Sequence, residues 1–237
     1  MAQIYIAGIH TDIGKTHFSI AFCKAFSYSY FKLIQAGNPT DTNRVKEFLD
    51  SSQKGVVNND NANSITNTQT THQITIYNEG ITLNSPTSPH IAKIKENLNY
   101  EGLKIPLPND KNCVIELAGG IYTPLDERYC MIDFMREYPR PCVLVGGYYL
   151  GSINHILLSI EALKSSKIEL LCLAMSKATS QEYNKIQTQD FELIDHFISD
   201  YAGIPIVHLP YFSNAKGLES SAKLLHKDIC AKVSFRF

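Results

Sequence analysis

Gly8-Ile-His-Thr-Asp-Ile-Gly-Lys-Thr16 is a glycine-bounded loop ending in Gly-Lys-Thr, and it stands between two contrasting patterns. Before it, Ile4–Ala7 is apolar throughout; after it, Phe18, Ala21, Phe22 and Ala25 recur at helical spacing across Lys15–Phe26. A strand that feeds a glycine turn and then a helix start presents successive backbone N–H groups at the positive end of the helix, which makes a cradle for phosphate. The residue types suit that task. Gly14 lets the backbone approach a phosphate closely, Lys15 reaches toward the β- and γ-phosphates, and the Thr16 hydroxyl is a ligand for Mg²⁺. Five residues rather than four separate Gly8 from Gly14, so the loop is a variant of the G-x-x-x-x-G-K-[ST] spacing. The reading is a nucleoside-triphosphate site.

Working outward, short β-rich runs alternate with helical patterns. Tyr30–Gln35, Ile74–Tyr77, Cys113–Leu117, Cys142–Gly146, Ile168–Ala174 and Pro205–Leu209 read as strands after the first. Several are apolar at every position rather than at alternate ones, as expected of strands covered by helices on both faces. The expected fold is therefore α/β, a three-layer arrangement with a mostly parallel central sheet flanked by helices, in a single domain over residues 1–237, with ligands at the carboxyl ends of the strands. Helices are expected at Thr42–Leu49 and at Asp190–Tyr201, where Phe191, Ile194, Phe197 and Ile198 make a stripe for the core or a dimer contact. Segment 55–73, dominated by Asn, Thr, Ser and Gln, lacks the apolar area to hold regular structure and reads as a surface loop.

Composition narrows the partners. A formal net charge of −1 excludes a nucleic-acid binder that works through a broad basic field. The six cysteines are scattered without a C-x-x-C pair, which fits free thiols in a reducing cytoplasm. No basic segment is followed by a long apolar stretch and nowhere do eighteen apolar residues run together, so the expectation is a cytoplasmic protein that acts on small molecules, without membrane or nucleic acid.

Further constellations carry chemistry. Glu116-Leu-Ala-Gly-Gly-Ile-Tyr-Thr-Pro-Leu125 puts an acidic residue at the end of an apolar strand with glycines just beyond, where a phosphate-loop enzyme places a carboxylate for magnesium. Val143–Gly147 leads through Leu150-Gly151 into a helix whose first amides could hold an anion. Lys32 ends an apolar strand, and Asp41 reads either as a metal carboxylate or as the N-cap of Thr42–Leu49. His10 and His155 read as structural or solvent-facing.

Together with Lys32-Leu-Ile-Gln-Ala-Gly37 and Ser85-Pro-Thr-Ser-Pro-His-Ile-Ala92, these segments resemble dethiobiotin synthetase, the ATP-dependent carboxylase that closes the ureido ring of biotin. That family's loop is G-T-x-T-x-V-G-K-T, its second strand ends K-P-x-x-S-G, its acidic motif is E-G-A-G-G followed by T-P-L, and a later strand runs into L-G-x-I-N-H. The likeness extends from the first strand to about Phe212 and is weak at Asp50–Asn84 and Ser176–Ala202. It implies Thr11, Lys15 and Lys32 as catalytic residues and Thr16, Asp41 and Glu116 as Mg²⁺ ligands. It implies ATP contacts from Asp12, Ile13, Gly14, Lys15, Thr16, His17, Asp41, Glu116, Leu117, Ala118, Gly119, Ser176, Pro210 and Tyr211. For the substrate, 7,8-diaminononanoate with CO₂ or bicarbonate, it implies Ala36 and Gly37, together with Gly151, Ser152, Ile153, Asn154 and Tyr183, the helix start being offered across a homodimer. The chain departs from the family at Leu33, Ala36, Leu117 and Ser176; the last replaces an asparagine that reads adenine, so weaker adenine selectivity is expected. A second resemblance, to regulatory partitioning-type ATPases of the same phosphate-loop branch, lacks their early loop lysine, since His10 occupies that position.

Overall fold

The computed structural model describes residues 3–53, 74–176 and 188–234. Segment 55–73 and Tyr183 lie outside the described residues. Six strands form one parallel sheet: β1 (Ile4–Gly8), β2 (Ser29–Lys32), β5 (Cys113–Glu116), β6 (Cys142–Gly147), β7 (Leu170–Ser176) and β8 (Ile206–Leu209), in the order β2-β5-β1-β6-β7-β8. A second, two-stranded parallel sheet joins β3 (Ile34–Ala36) to β4 (Ile81–Leu83). The helices are α1 (Lys15–Phe26), α2 (Asp41–Gln53), α3 (Pro89–Lys95), α4 (Met131–Glu137), α5 (Ser152–Ser165), α6 (Thr188–Ala202) and α7 (Ala215–Lys232).

The all-apolar strands are explained by two cores, one on each face. Ile4 and Ile6 of β1 pack with Val114, Val143 and Val145 beneath α1 and α7, while Tyr5 and Ala7 pack with Ile115 and Leu144 beneath α4 and α5. Phe18 and Phe22, fully buried on α1, anchor that helix to the first of these cores. Each contributes about 1.5–3 kcal/mol through burial. On α6, Phe191 and Ile198 are buried as the helical stripe implies, whereas Phe197 is half exposed.

The structure corrects two sequence expectations and adds a strand that none of them covered. Tyr30–Gln35 is not one strand. The chain leaves the large sheet after Lys32, with the Leu33 carbonyl accepting from Ile81 N–H at 3.2 Å, and residues 34–36 pair in the smaller sheet. Ile74–Tyr77 reduces to an isolated parallel bridge between Tyr30 and Ile76. The three-residue strand β4 gave no periodic signal because it is shorter than one alternation pattern needs.

The strand register positions the site. Lys32 is the register partner of Glu116, and Glu116 in turn of Ile6, so Lys32 and Glu116 end neighbouring parallel strands side by side on the α1 face. The phosphate loop leaves β1 next to them, in the crevice beyond the strand ends.

Candidate functional site

The loop adopts the form its glycines permit. Gly14 caps α1 with φ of 100°, a left-handed conformation that disfavours side chains. A Cβ at Gly8 would come within 2.9 Å of both Ile13 Cγ2 and Lys15 Cδ, so a side chain at the strand end would displace the side chains of Ile13 and Lys15. Ile13 is 2% exposed and belongs to the core, tying the loop down from below.

Five polar side chains converge at the end of the loop. Thr16 Oγ1 donates to Glu116 Oε1 at 2.8 Å, and Lys32 Nζ reaches the same oxygen at 2.7 Å and Asp41 Oδ2 at 2.6 Å. Tyr30 donates its hydroxyl to the other carboxylate oxygen of Glu116 at 3.1 Å. Glu116 is wholly buried and Lys32 2% exposed. Burial alone would depress the Lys32 ammonium, but the two carboxylates outweigh it and raise its pKa. Asp41, whose burial acts in the opposite sense, is held below the ordinary carboxylate range by Lys32. Lys15 is buried too, and desolvation with the nearby Lys32 charge lowers its pKa to about 8; its ammonium donates to the His10 carbonyl at 2.9 Å.

Asp41 lies in the first turn of α2 rather than capping it. Gln35 sets its place: Oε1 accepts from the Asp41 N–H at 3.1 Å, while Nε2 donates to the Gly37 carbonyl at 3.2 Å. Gln35 and Tyr30 carry no motif. Tyr30 has one signal, strand periodicity, since it precedes Lys32 by two residues and therefore shares its face; Gln35, in the next strand, has none.

A cavity of about 1620 Å³ gathers Thr11, Asp12, Gly14, Lys15, Thr16 and His17 of the loop region with Lys32, Asp41 and Glu116. Ala36, Gly37, Ala118 and Gly119 line it as well. Leu117, 1% exposed, faces the core instead. His10 and His155 both line the cavity and stand near Tyr149, whose hydroxyl lies 2.6 Å from His155 Nδ1. Ser176, Pro210 and Tyr211 lie outside the cavity lining. Tyr211 stacks on His17 with ring centroids 5.5 Å apart, and the Phe212 N–H donates to His17 Nε2 at 3.3 Å. Burial first, and the Arg44 charge second, hold the His17 pKa down to about 4, so the ring is neutral and accepts that bond.

The start of α5 is a separate feature. Gly151 caps it at φ of 95°, and Leu150 is fully exposed beside it. Ser152 is 1% exposed, and its Oγ has no hydrogen-bond partner among the described residues. Gly151, Ser152, Ile153 and Asn154 do not line the cavity, although His155 and Leu158 farther along the same helix do.

The donor set of Thr16, Asp41 and Glu116 is all oxygen, which suits a hard cation such as Mg²⁺. Among the described residues no cluster of three or more His, Cys, Asp and Glu forms a self-sufficient metal cage. Two carboxylates and a hydroxyl beside a phosphate cradle are the arrangement that Mg²⁺ shares with substrate phosphates.

A family model described as an AAA domain matches residues 2–214. The chain is 48% identical over 221 residues to the ATP-dependent dethiobiotin synthetase BioD of Campylobacter jejuni subsp. jejuni, covering 93% of this chain and 94% of that protein. It is 33% identical over 182 residues to the protein of the same name from Lawsonia intracellularis, covering 76% and 78%. Among solved structures, the MinC:MinD cell division protein complex of Aquifex aeolicus aligns over 100% of this chain and 98% of that one, at a TM-score of 0.49 and 10% identity. That likeness carries no functional argument.

Proposed function

The chain belongs to the ATP-dependent dethiobiotin synthetase family, and from that membership we propose how its cavity carries the reaction. The protein is a ligase that forms dethiobiotin at the expense of ATP in biotin biosynthesis. The proposed substrates are 7,8-diaminononanoate, CO₂ and ATP. One amine takes up CO₂ as a carbamate, and a carbamate oxygen attacks the γ-phosphorus with release of ADP. The second amine then displaces phosphate from the resulting anhydride and closes the five-membered urea.

One observation carries this assignment: Lys32, Thr16 and Asp41 converge with Glu116 at the open end of the phosphate loop. Mg²⁺, held by Thr16, Asp41 and Glu116, would neutralise charge on the β- and γ-phosphate oxygens. Lys15 and Lys32 stabilise the negative charge that develops during transfer, and as preorganised donors in a buried site they do so without reorganisation. Ile13 and Gly14 hold the loop, and Thr11 and Asp12 shape its rim.

For the carboxylate of the diamine we propose the start of α5 in a second copy of the chain, in a cytoplasmic homodimer. The unpartnered Ser152 hydroxyl and the positive helix end support that role.

The deciding experiment measures phosphate release by the purified protein with Mg²⁺ and ATP, with and without 7,8-diaminononanoate and bicarbonate, alongside mass detection of dethiobiotin. Release that depends on the diamine and yields the cyclic urea is the expected result. Diamine-independent hydrolysis without that product would overturn the proposed substrates.

A further inference from the structure

The loop and the strand ends supply two lysines to the cavity, and a third cation comes from α2. Arg44 follows Asp41 by three residues and precedes Phe48 by four, so the three share one side of that helix. Their neighbours give that side a direction. Asp41 meets Lys32 at the metal end. Phe48 packs edge-on against Phe212 at 5.3 Å and near His17 at 6.4 Å, at the end where Tyr211 stacks on His17. Arg44 stands between these two ends, is exposed, and lines the cavity. Its charge reaches His17, the residue after the Thr16 hydroxyl.

The other two cations are committed, Lys32 to Asp41 and Glu116 and Lys15 to the His10 carbonyl. The Arg44 guanidinium has neither an ion pair nor a side-chain hydrogen bond among the described residues. A planar fork of donors left free beside an anion cradle matches the geometry of a phosphate, whose oxygens accept two parallel N–H bonds.

We propose that Arg44 is a further nucleotide-binding residue, its guanidinium clamping the α-phosphate of the nucleotide seated in the loop. The position follows from the order along α2: the metal carboxylates mark the γ-phosphate end, and the His17–Tyr211 stack marks the end toward ribose and base. The inference rests on the nucleotide site described above. Because the α-phosphate does not react and is common to ATP and ADP, Arg44 holds substrate and product alike. It therefore acts on binding rather than on the chemical step.

The test is calorimetric titration of ADP and ATP, with Mg²⁺, into the wild type, Arg44→Ala and Arg44→Lys, together with kcat and KM for ATP. Expected for Arg44→Ala is an affinity loss of roughly 10- to 100-fold for both nucleotides, with KM raised in step and kcat held within about twofold. Arg44→Lys should recover part of the loss, and the melting temperature without nucleotide should be unchanged. Affinities within twofold of wild type would overturn the assignment. So would a loss confined to ATP, which would move the contact to the γ-phosphate, or a fall in kcat with ADP binding intact. A wild type that binds neither nucleotide would refute the phosphate-loop reading itself, a result distinct from any of these.

Discussion

Lys32 and Glu116 are register partners at the ends of adjacent parallel strands, and their buried side chains meet at 2.7 Å at the floor of the cavity. Such a pair is tied to both stability and chemistry. Removing one partner strands the other as an uncompensated buried charge, whereas removing both takes out the two buried charges together and leaves the partly exposed Asp41 as the one group that has lost its partner.

Lys32→Met should therefore lower stability by about 3–5 kcal/mol and turnover by roughly 100- to 1000-fold. Adding Glu116→Gln should restore much of the melting temperature while turnover stays low. Thermal melts and steady-state rates on both variants separate the two effects; unchanged turnover in Lys32→Met would remove this lysine from the mechanism.

Lys15 begins to lose its proton near pH 8 in the nucleotide-free protein, and bound phosphates favour its charged form. Nucleotide affinity should fall as pH rises above about 8, by up to about tenfold per pH unit. Its pKa is lower folded than unfolded, so the unfolded chain holds more protons between about 8 and 10.5, and the Lys15 contribution to stability rises with pH across that window. Titrations of ADP in buffers of different ionisation enthalpy at pH 8.5 should show proton uptake on binding, and Lys15→Met should abolish it.

His17 gives the opposite limb. Its pKa is about 4 in the folded protein against 6.5 for a histidine exposed to water, so stability should be lost as pH falls from about 6.5 toward 4. The full loss approaches about 3 kcal/mol. Denaturant midpoints measured between pH 7 and 4 should decline more steeply for the wild type than for His17→Gln; parallel curves would refute the assignment.

Base selectivity should be weak. Ser176 stands where the family it resembles carries an asparagine that reads adenine, and this short, buried side chain does not line the cavity. Initial rates with ATP, GTP, CTP and UTP should lie within 100-fold of one another; a larger preference for ATP would contradict this.

Much of the site was legible because it is local. Gly14, Lys15 and Thr16 sit on a strand–turn–helix whose spacing carries its own chemistry, and Glu116 ends an apolar strand. What could not be read depends on distant partners. The break at Leu33 has no local marker, because an apolar residue serves equally in one long strand or at the junction of two sheets; its cause is the pairing of residues 34–36 with residues 81–83. Gln35, Tyr30 and Arg44 belong to no motif, and their places at the site, in hydrogen bonds to Asp41 and Glu116 or in the cavity lining, emerge only when α2 and β5 are brought against the loop. Ile74–Tyr77 has strand-like residues, but its ladder pairing is a single isolated bridge from Ile76 to Tyr30.

The central place of β1 also orders events during synthesis. It pairs on one side with β5 and on the other with β6, each more than a hundred residues downstream. A nascent chain carries the complete Gly-Lys-Thr motif from its sixteenth residue, yet has no strand beside β1 until Cys113–Glu116 leaves the ribosome. The His17–Phe212 bond forms later still. Competence to hold nucleotide is thus a late property of the growing polypeptide, and fragments that stop before β5 would carry the signature without the site.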